Sequence, residues 1–142
     1  MKKTILLVED NPNDEALTLR AFEKNNILNE IVVARDGQEA IDFLFCEGDY
    51  STREKINPQV ILLDINLPKI DGLDVLRRLR AYEATSLIPV VIMTTSDEQN
   101  DLITSYQLGA NSYIRKPVEL NSFMDAVKQL GMYWLVLNEQ PK

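Results

Sequence analysis

The 142-residue chain has no histidine, one cysteine, one tryptophan and five glycines. Without histidine there is no imidazole to act as a general base, to ligate a metal or to carry a phosphoryl group. Cys46 alone closes no internal disulfide and stands in no metal-ligand spacing, so nothing points to an oxidising compartment and a cytoplasmic location is expected. No apolar stretch approaches the roughly 18 residues of a membrane span. The run Ile5 to Val8 stops at Glu9-Asp10 with no cleavage site after it, so Met1-Lys2-Lys3 leads into a strand and not into a signal peptide. Basic clusters are missing too. With 15 Lys+Arg against 22 Asp+Glu the net charge is −7, and the chain offers no basic face to nucleic acid or anionic lipid. Neither a nucleic acid nor a membrane is expected as a partner.

What remains is 45% hydrophobic and 26% charged, the composition of one acidic globular domain. A fold of this length hides roughly 68–70% of the surface of its unfolded chain, enough for a core without disulfides or a structural metal. Four runs rich in β-branched residues are predicted strands: Thr4 to Val8, Glu30 to Ala34, Val60 to Leu63 and Pro89 to Met93, with a weaker fifth at Ser112 to Ile114. Their apolar character is nearly continuous, as in strands buried on both faces of a parallel sheet. Helical patterns follow them at Asp14 to Lys24, Gln38 to Phe45, Leu73 to Tyr82, Glu98 to Leu108 and Glu119 to about Leu130. Asn13, Asp36 and Ser96 carry side-chain oxygens suited to N-caps, and Val118 precedes the last helix. Phe123, Val127, Leu130 and Trp134 recur at helical spacing and form a stripe expected to face the sheet. Glu47 to Pro58 and Glu83 to Ile88 read as less regular loops.

Five βα repeats predict an α/β, doubly wound sandwich, with a ligand crevice outside the carboxyl ends of the strands where strand order reverses. Residues that end strands are therefore the functional candidates. Strand one ends in Glu9-Asp10, strand three in Asp64 and strand four in Thr94-Thr95-Ser96, while strand five runs into Lys116-Pro117. Carboxylates brought together repel one another unless a cation sits among them. Oxygen-only ligands select a hard ion, and Mg²⁺ suits such a group because it takes one or two carboxylates and keeps waters that exchange with phosphate oxygens. A neighbouring lysine neutralises phosphate charge, and a carboxylate can attack phosphorus. These residues together read as a Mg²⁺-assisted phosphoryl acceptor.

Five segments resemble the receiver domain of two-component response regulators: Ile5-Leu6-Leu7-Val8-Glu9-Asp10-Asn11, Ile61 to Pro68, Asp71-Gly72, Val91-Ile92-Met93-Thr94-Thr95 and Tyr113-Ile114-Arg115-Lys116-Pro117. The resemblance runs from residue 3 to about 131. It implies a CheY-like (βα)5 sandwich with a five-stranded parallel sheet in order 2-1-3-4-5. Asp64 would be the phosphoacceptor, taking the group from a phosphohistidine of a sensor histidine kinase. Asp10, Asp64 and the backbone carbonyl of Asn66 would hold Mg²⁺, with Glu9 on a metal-bound water. Lys116 would contact a phosphoryl oxygen, and the Lys116-Pro117 bond is expected cis. Thr94 would donate its hydroxyl to the phosphoryl group while Tyr113 turns inward, switching the surface of the fourth helix, fifth strand and fifth helix. Such a protein is a switch and not a turnover enzyme.

Departures are few. Glu9 stands where many members have Asp, Thr95 where a smaller side chain is usual, and Asn66 and Ser96 occupy positions that tune dephosphorylation. After Lys116 only 26 residues remain, so the expectation is a single receiver domain over 1–142 with a C-terminal extension at 132–142 and no DNA-binding output. The 47–58 loop and the Trp134-Leu135-Val136-Leu137 segment resemble small regulators that pair with phytochrome-type kinases. A homodimer through the fifth helix and its apolar tail, and an unnamed downstream protein, are the expected partners.

Rival readings are weaker on chemistry. A flavodoxin-like cofactor binder needs a hydroxyl- and glycine-rich phosphate loop where this chain has Glu9-Asp10-Asn11-Pro12-Asn13-Asp14. A haloacid-dehalogenase-like phosphatase expects an acid where Asn66 stands. A phosphorylation-independent docking module with a vestigial acidic pocket is the third alternative.

Overall fold

The computed structural model describes residues 4–24, 27, 29–95, 98–116 and 121. The strands are β1 (Thr4–Val8), β2 (Glu30–Ala34), β3 (Val60–Leu63), β4 (Val90–Thr94) and β5 (Ser112–Arg115); the helices are α1 (Pro12–Lys24), α2 (Gly37–Phe45), α3 (Gly72–Ala81) and α4 (Gln99–Gln107). All strand pairings are parallel and the order is β2-β1-β3-β4-β5, as expected. The expected fifth helix, the cap at Ser96, Val118, the Lys116-Pro117 bond and the segment at 134–137 lie outside the described residues.

Alternation along each inner strand explains why the strands read as unbroken apolar runs. Leu6, Val8, Ile61, Leu63 and Ile92 face one layer and pack with Ala40, Ile41 and Leu44 of α2 and Val75, Leu76 and Leu79 of α3. Ile5, Leu7, Val60, Leu62, Val91 and Met93 face the other, where Phe22 of α1 fills the space. Burying each such side chain contributes about 1.5–3 kcal/mol, so the central strands are pinned on both faces. The edge strand β2 is only half-buried over Ile31, Val32 and Val33.

Most element boundaries shift by one or two residues from the sequence expectation, and three of the shifts have a plain local cause. α1 begins two residues earlier, because Asn11 rather than Asn13 is its cap: Asn11 Oδ1 accepts from Asn13 N at 2.8 Å and from Asp14 N at 3.2 Å. Pro12 then takes the first helical position, where its missing N–H costs nothing. β4 starts at Val90, since Pro89 has no N–H to give, and extends through Thr94. α3 is capped by Asp71, whose carboxylate accepts from Leu73 N at 2.8 Å. The 47–58 segment is better ordered than its polarity implies. A 3-10 turn at Gly48–Tyr50 opens it, and Arg53 ties it down by donating to the carbonyls of Phe43, Glu54 and Ile56 while its guanidinium lies 4.1 Å from the centre of the Phe43 ring.

Candidate functional site

The strand ladders run one residue past their ends and so carry the charged residues into place. Glu9 N donates to Ala34 O at 2.9 Å and Asp64 N to Val8 O at 3.1 Å. With Val8 opposite Leu63, the following residues Glu9 and Asp64 stand side by side at the carboxyl edge. Lys116 follows β5, and its N–H is bound to Thr94 O at 2.9 Å. Since β4 separates β5 from β3, only a long side chain can span the gap, and lysine does. Behind Asp64 the chain is pressed against α3. A Cβ on Gly72 would stand 2.0 Å from Asp64 O, so glycine is required there.

The Lys116 ammonium lies 2.8 Å from Asp64 Oδ2, 2.5 Å from Glu9 Oε1 and 3.0 Å from Asp14 Oδ2. The Lys116, Glu9 and Asp64 side chains are 5%, 0% and 8% exposed, so these charges interact with little screening by water. Burial pushes the Glu9 carboxyl up to about 7; Lys116 pulls against this and the Asp64 charge adds to it. Burial also works against the charge on Lys116, but its carboxylate partners, Asp64 first, hold its pKa above the ordinary lysine value.

Glu9, Asp10 and Asp64 can each offer a carboxylate oxygen within 4.8 Å of the others. Glu9 Oε1 is shut off from solvent and takes no hydrogen bond of good geometry, although Lys116 approaches it. Such an oxygen, in an oxygen-only set, fits a hard divalent cation. Asn66 closes a local turn, donating its N–H to Asp64 Oδ1 at 3.2 Å. Thr94 is fully buried at the end of β4. Tyr113 is half-buried on β5, opposite Ile92 and packed on the α2–α3 side of the core.

The expected site residues Glu9, Asp10, Asp64 and Lys116 thus meet at one edge, with Asn66 and Thr94 on the segments that flank them. Sequence reasoning missed Asp14. It sits in the first turn of α1, on the side that Lys116 reaches, and no local spacing marks its pairing with a residue 102 positions later.

Comparison with known proteins agrees with this geometry. The response regulator receiver domain family matches residues 5–128. Response regulator Rcp1 of Synechocystis sp. is 38% identical over 133 residues, covering 94% of this chain and 89% of that protein. Among solved structures, the bacteriophytochrome response regulator AtBRR shares 50% identity at a TM-score of 0.86, covering 98% of this chain and 99% of its own. The Mn²⁺-bound form of Rcp1 superposes at 0.80 with 37% identity and 99% of each chain covered, and the phosphorylated cyanobacterial phytochrome response regulator RcpA at 0.81 with 38% identity and full coverage of both. Family, sheet order and acidic cluster converge, and this chain belongs to the response regulator receiver domain family, with a close structural match to bacteriophytochrome response regulators.

Proposed function

We propose that this chain is a phosphoryl-accepting receiver in which Asp64 takes a phosphoryl group from a phosphohistidine of a sensor histidine kinase of the phytochrome type. The observation that carries the proposal is the Asp64 carboxylate, nearly buried beside Glu9 and Asp10 with the Lys116 ammonium 2.8 Å from Oδ2. The phosphorylated relative RcpA and the Mn²⁺-bound relative Rcp1 support it.

An Asp64 oxygen attacks phosphorus in line. The new O–P bond forms as the P–N bond breaks, and the electron pair leaves on the imidazole nitrogen. Glu9, Asp10, Asp64 and the Asn66 carbonyl would hold Mg²⁺, which supplies positive charge against the phosphoryl oxygens. Lys116 neutralises a further oxygen. The Thr94 hydroxyl donates to the bound group, Tyr113 follows it inward, and the surface formed by α4, β5 and the fifth helix changes. In this reading the chain is a single receiver domain over 1–142 that acts in the cytoplasm on a downstream protein. It self-associates through the fifth helix and the 132–142 extension, and sedimentation as a monomer at high concentration, with and without beryllofluoride, removes that last element.

The test is intact mass after incubation with Mg²⁺ and acetyl phosphate. One phosphoryl adduct is expected in the wild type, and none in Asp64→Asn or with the metal chelated. A wild type that takes no adduct and does not respond to beryllofluoride makes the docking-module reading the better one.

A further inference from the structure

Lys116 is held by one more carboxylate than the proposed chemistry uses. An ammonium has three N–H donors, and the three anionic groups around this one are Asp64, Glu9 and Asp14. Asp64 is the proposed acceptor and Glu9 belongs to the cation cluster, but Asp14 is outside that cluster. It comes from α1, 102 residues away in sequence. Its placement is firm. The Asp14 N–H is bound by the Asn11 cap at 3.2 Å, and its carbonyl accepts the Thr18 hydroxyl at 2.9 Å. The side chain is 27% exposed, at the rim of a site whose floor is nearly dry.

We propose that Asp14 is a positioning residue that tethers Lys116 across the mouth of the site and sets the balance between cation and phosphoryl binding. The inference rests on the receiver reading above. When Asp64 is modified, its carboxylate oxygen ceases to be an anionic partner for Lys116, and the N–H pointed at it turns to the phosphoryl group. Asp14 keeps its own hold on the ammonium during that exchange, so the lysine pivots within the site and does not swing into solvent. The Asp14 charge has a second consequence. Among the described residues, four carboxylates, Glu9, Asp10, Asp14 and Asp64, gather at this site with one ammonium, that of Lys116. The charge of Asp14 therefore favours a divalent cation and opposes the negative phosphoryl group, in proportion to the Coulomb energy at a half-screened rim.

Those two effects have opposite signs, which separates them from a loss of folding. Asp14→Asn keeps an oxygen acceptor for Lys116 and removes the charge. Free Mn²⁺ measured by electron paramagnetic resonance should then show cation affinity weakened roughly three- to tenfold, while the rate of adduct formation from acetyl phosphate at saturating Mg²⁺ rises by roughly the same factor. Asp14→Glu, which restores the charge, should restore Mn²⁺ affinity, and a urea midpoint on each variant verifies folding. Cation affinity and adduct rate falling together, or both staying at wild-type values, overturn the inference alone, because the wild type still takes Mn²⁺ and the phosphoryl group. A wild type that takes neither overturns the receiver reading and the inference with it.

Discussion

Two cations are drawn into the two opposite edges of the sheet, and they are held in different ways. At the carboxyl edge Lys116 is surrounded by carboxylates. At the amino edge Arg80 of α3 is surrounded by neutral oxygens: it donates to Gly109 O from two nitrogens, to Ser86 O and Ile88 O, and to the side-chain oxygen of Asn111. Asn111 in turn accepts from Val90 N at 2.8 Å, so one guanidinium ties α3, the turn before β4 and the turn before β5. Burial works against the Arg80 charge, and among the described residues no carboxylate offsets it. Carbonyl dipoles have fixed places in the backbone and cannot leave, so the arginine is a staple. Carboxylates can exchange one cation for another, and that exchange is what a switch requires.

Removing each cation should expose the difference. Lys116→Met leaves Glu9 and Asp64 buried without their counter-charge, and at pH 8 with metal chelated the loss of stability should be about 3–5 kcal/mol. Mg²⁺ should recover most of it, raising the urea midpoint of the variant by more than it raises that of the wild type. A variant that Mg²⁺ does not rescue breaks the view that this edge is an exchangeable charge site.

Arg80→Ala should cost less, about 2–3 kcal/mol, because the abandoned carbonyls are only half-buried and water can reach them. Mg²⁺ should add no more to its urea midpoint than to that of the wild type, and acetyl phosphate should modify Asp64 at the wild-type rate. Equal rescue of both variants by Mg²⁺ would erase the distinction between the two edges.

The amino-acid pattern announced one of these edges and hid the other. Strand ends rich in charge, Glu9-Asp10, Asp64 and Lys116, are visible because they interrupt apolar runs, and a parallel sheet follows from runs buried on both faces, whereas the strand order comes from the family resemblance. Arg80 has no such signature. It is one of three arginines in α3, and only its position relative to Ile88, 8 residues on, and Gly109, 29 residues on, sets it apart from the exposed Arg77 and Arg78. Asp14 was obscured for a related reason. As one acid among several at a helix start it reads as favourable helix-dipole placement, and its pairing with a residue 102 positions later appears only when α1 is packed. Asn11 rather than Asn13 as the cap is a finer miss: both are asparagines, and Pro12 between them favours Asn11, since that cap puts the proline in the first helical position for which its fixed φ is preorganised.

The smallest predicted effect is also confined to the carboxyl edge. The Glu9 carboxyl, at about 4.5 in an unfolded chain, sits near 7 in the fold, chiefly through burial and despite Lys116. Between those values the folded chain binds more proton than the unfolded one, so the contribution of this group to stability falls as pH rises through the window. Lys116 does not blur the window. Its raised pKa gives stability that is present below the unfolded lysine value and is lost only in strong alkali. In chelator, the urea midpoint of the wild type should therefore decline relative to Glu9→Gln as pH rises from 5 to 7.5, since the amide has no proton to lose. A divalent cation binds the ionised carboxylate and competes with its proton. In saturating Mg²⁺ the decline should flatten or reverse, and the increment due to Mg²⁺ should grow with pH. Parallel pH profiles for the two proteins in chelator would place the excess proton elsewhere. Parallel profiles for the wild type with and without Mg²⁺ would mean that Glu9 does not take part in holding the ion. The Arg80 edge, where no carboxylate among the described residues meets the cation, should contribute nothing to either slope, and Arg80→Ala should reproduce the wild-type pH profile from a lower starting point.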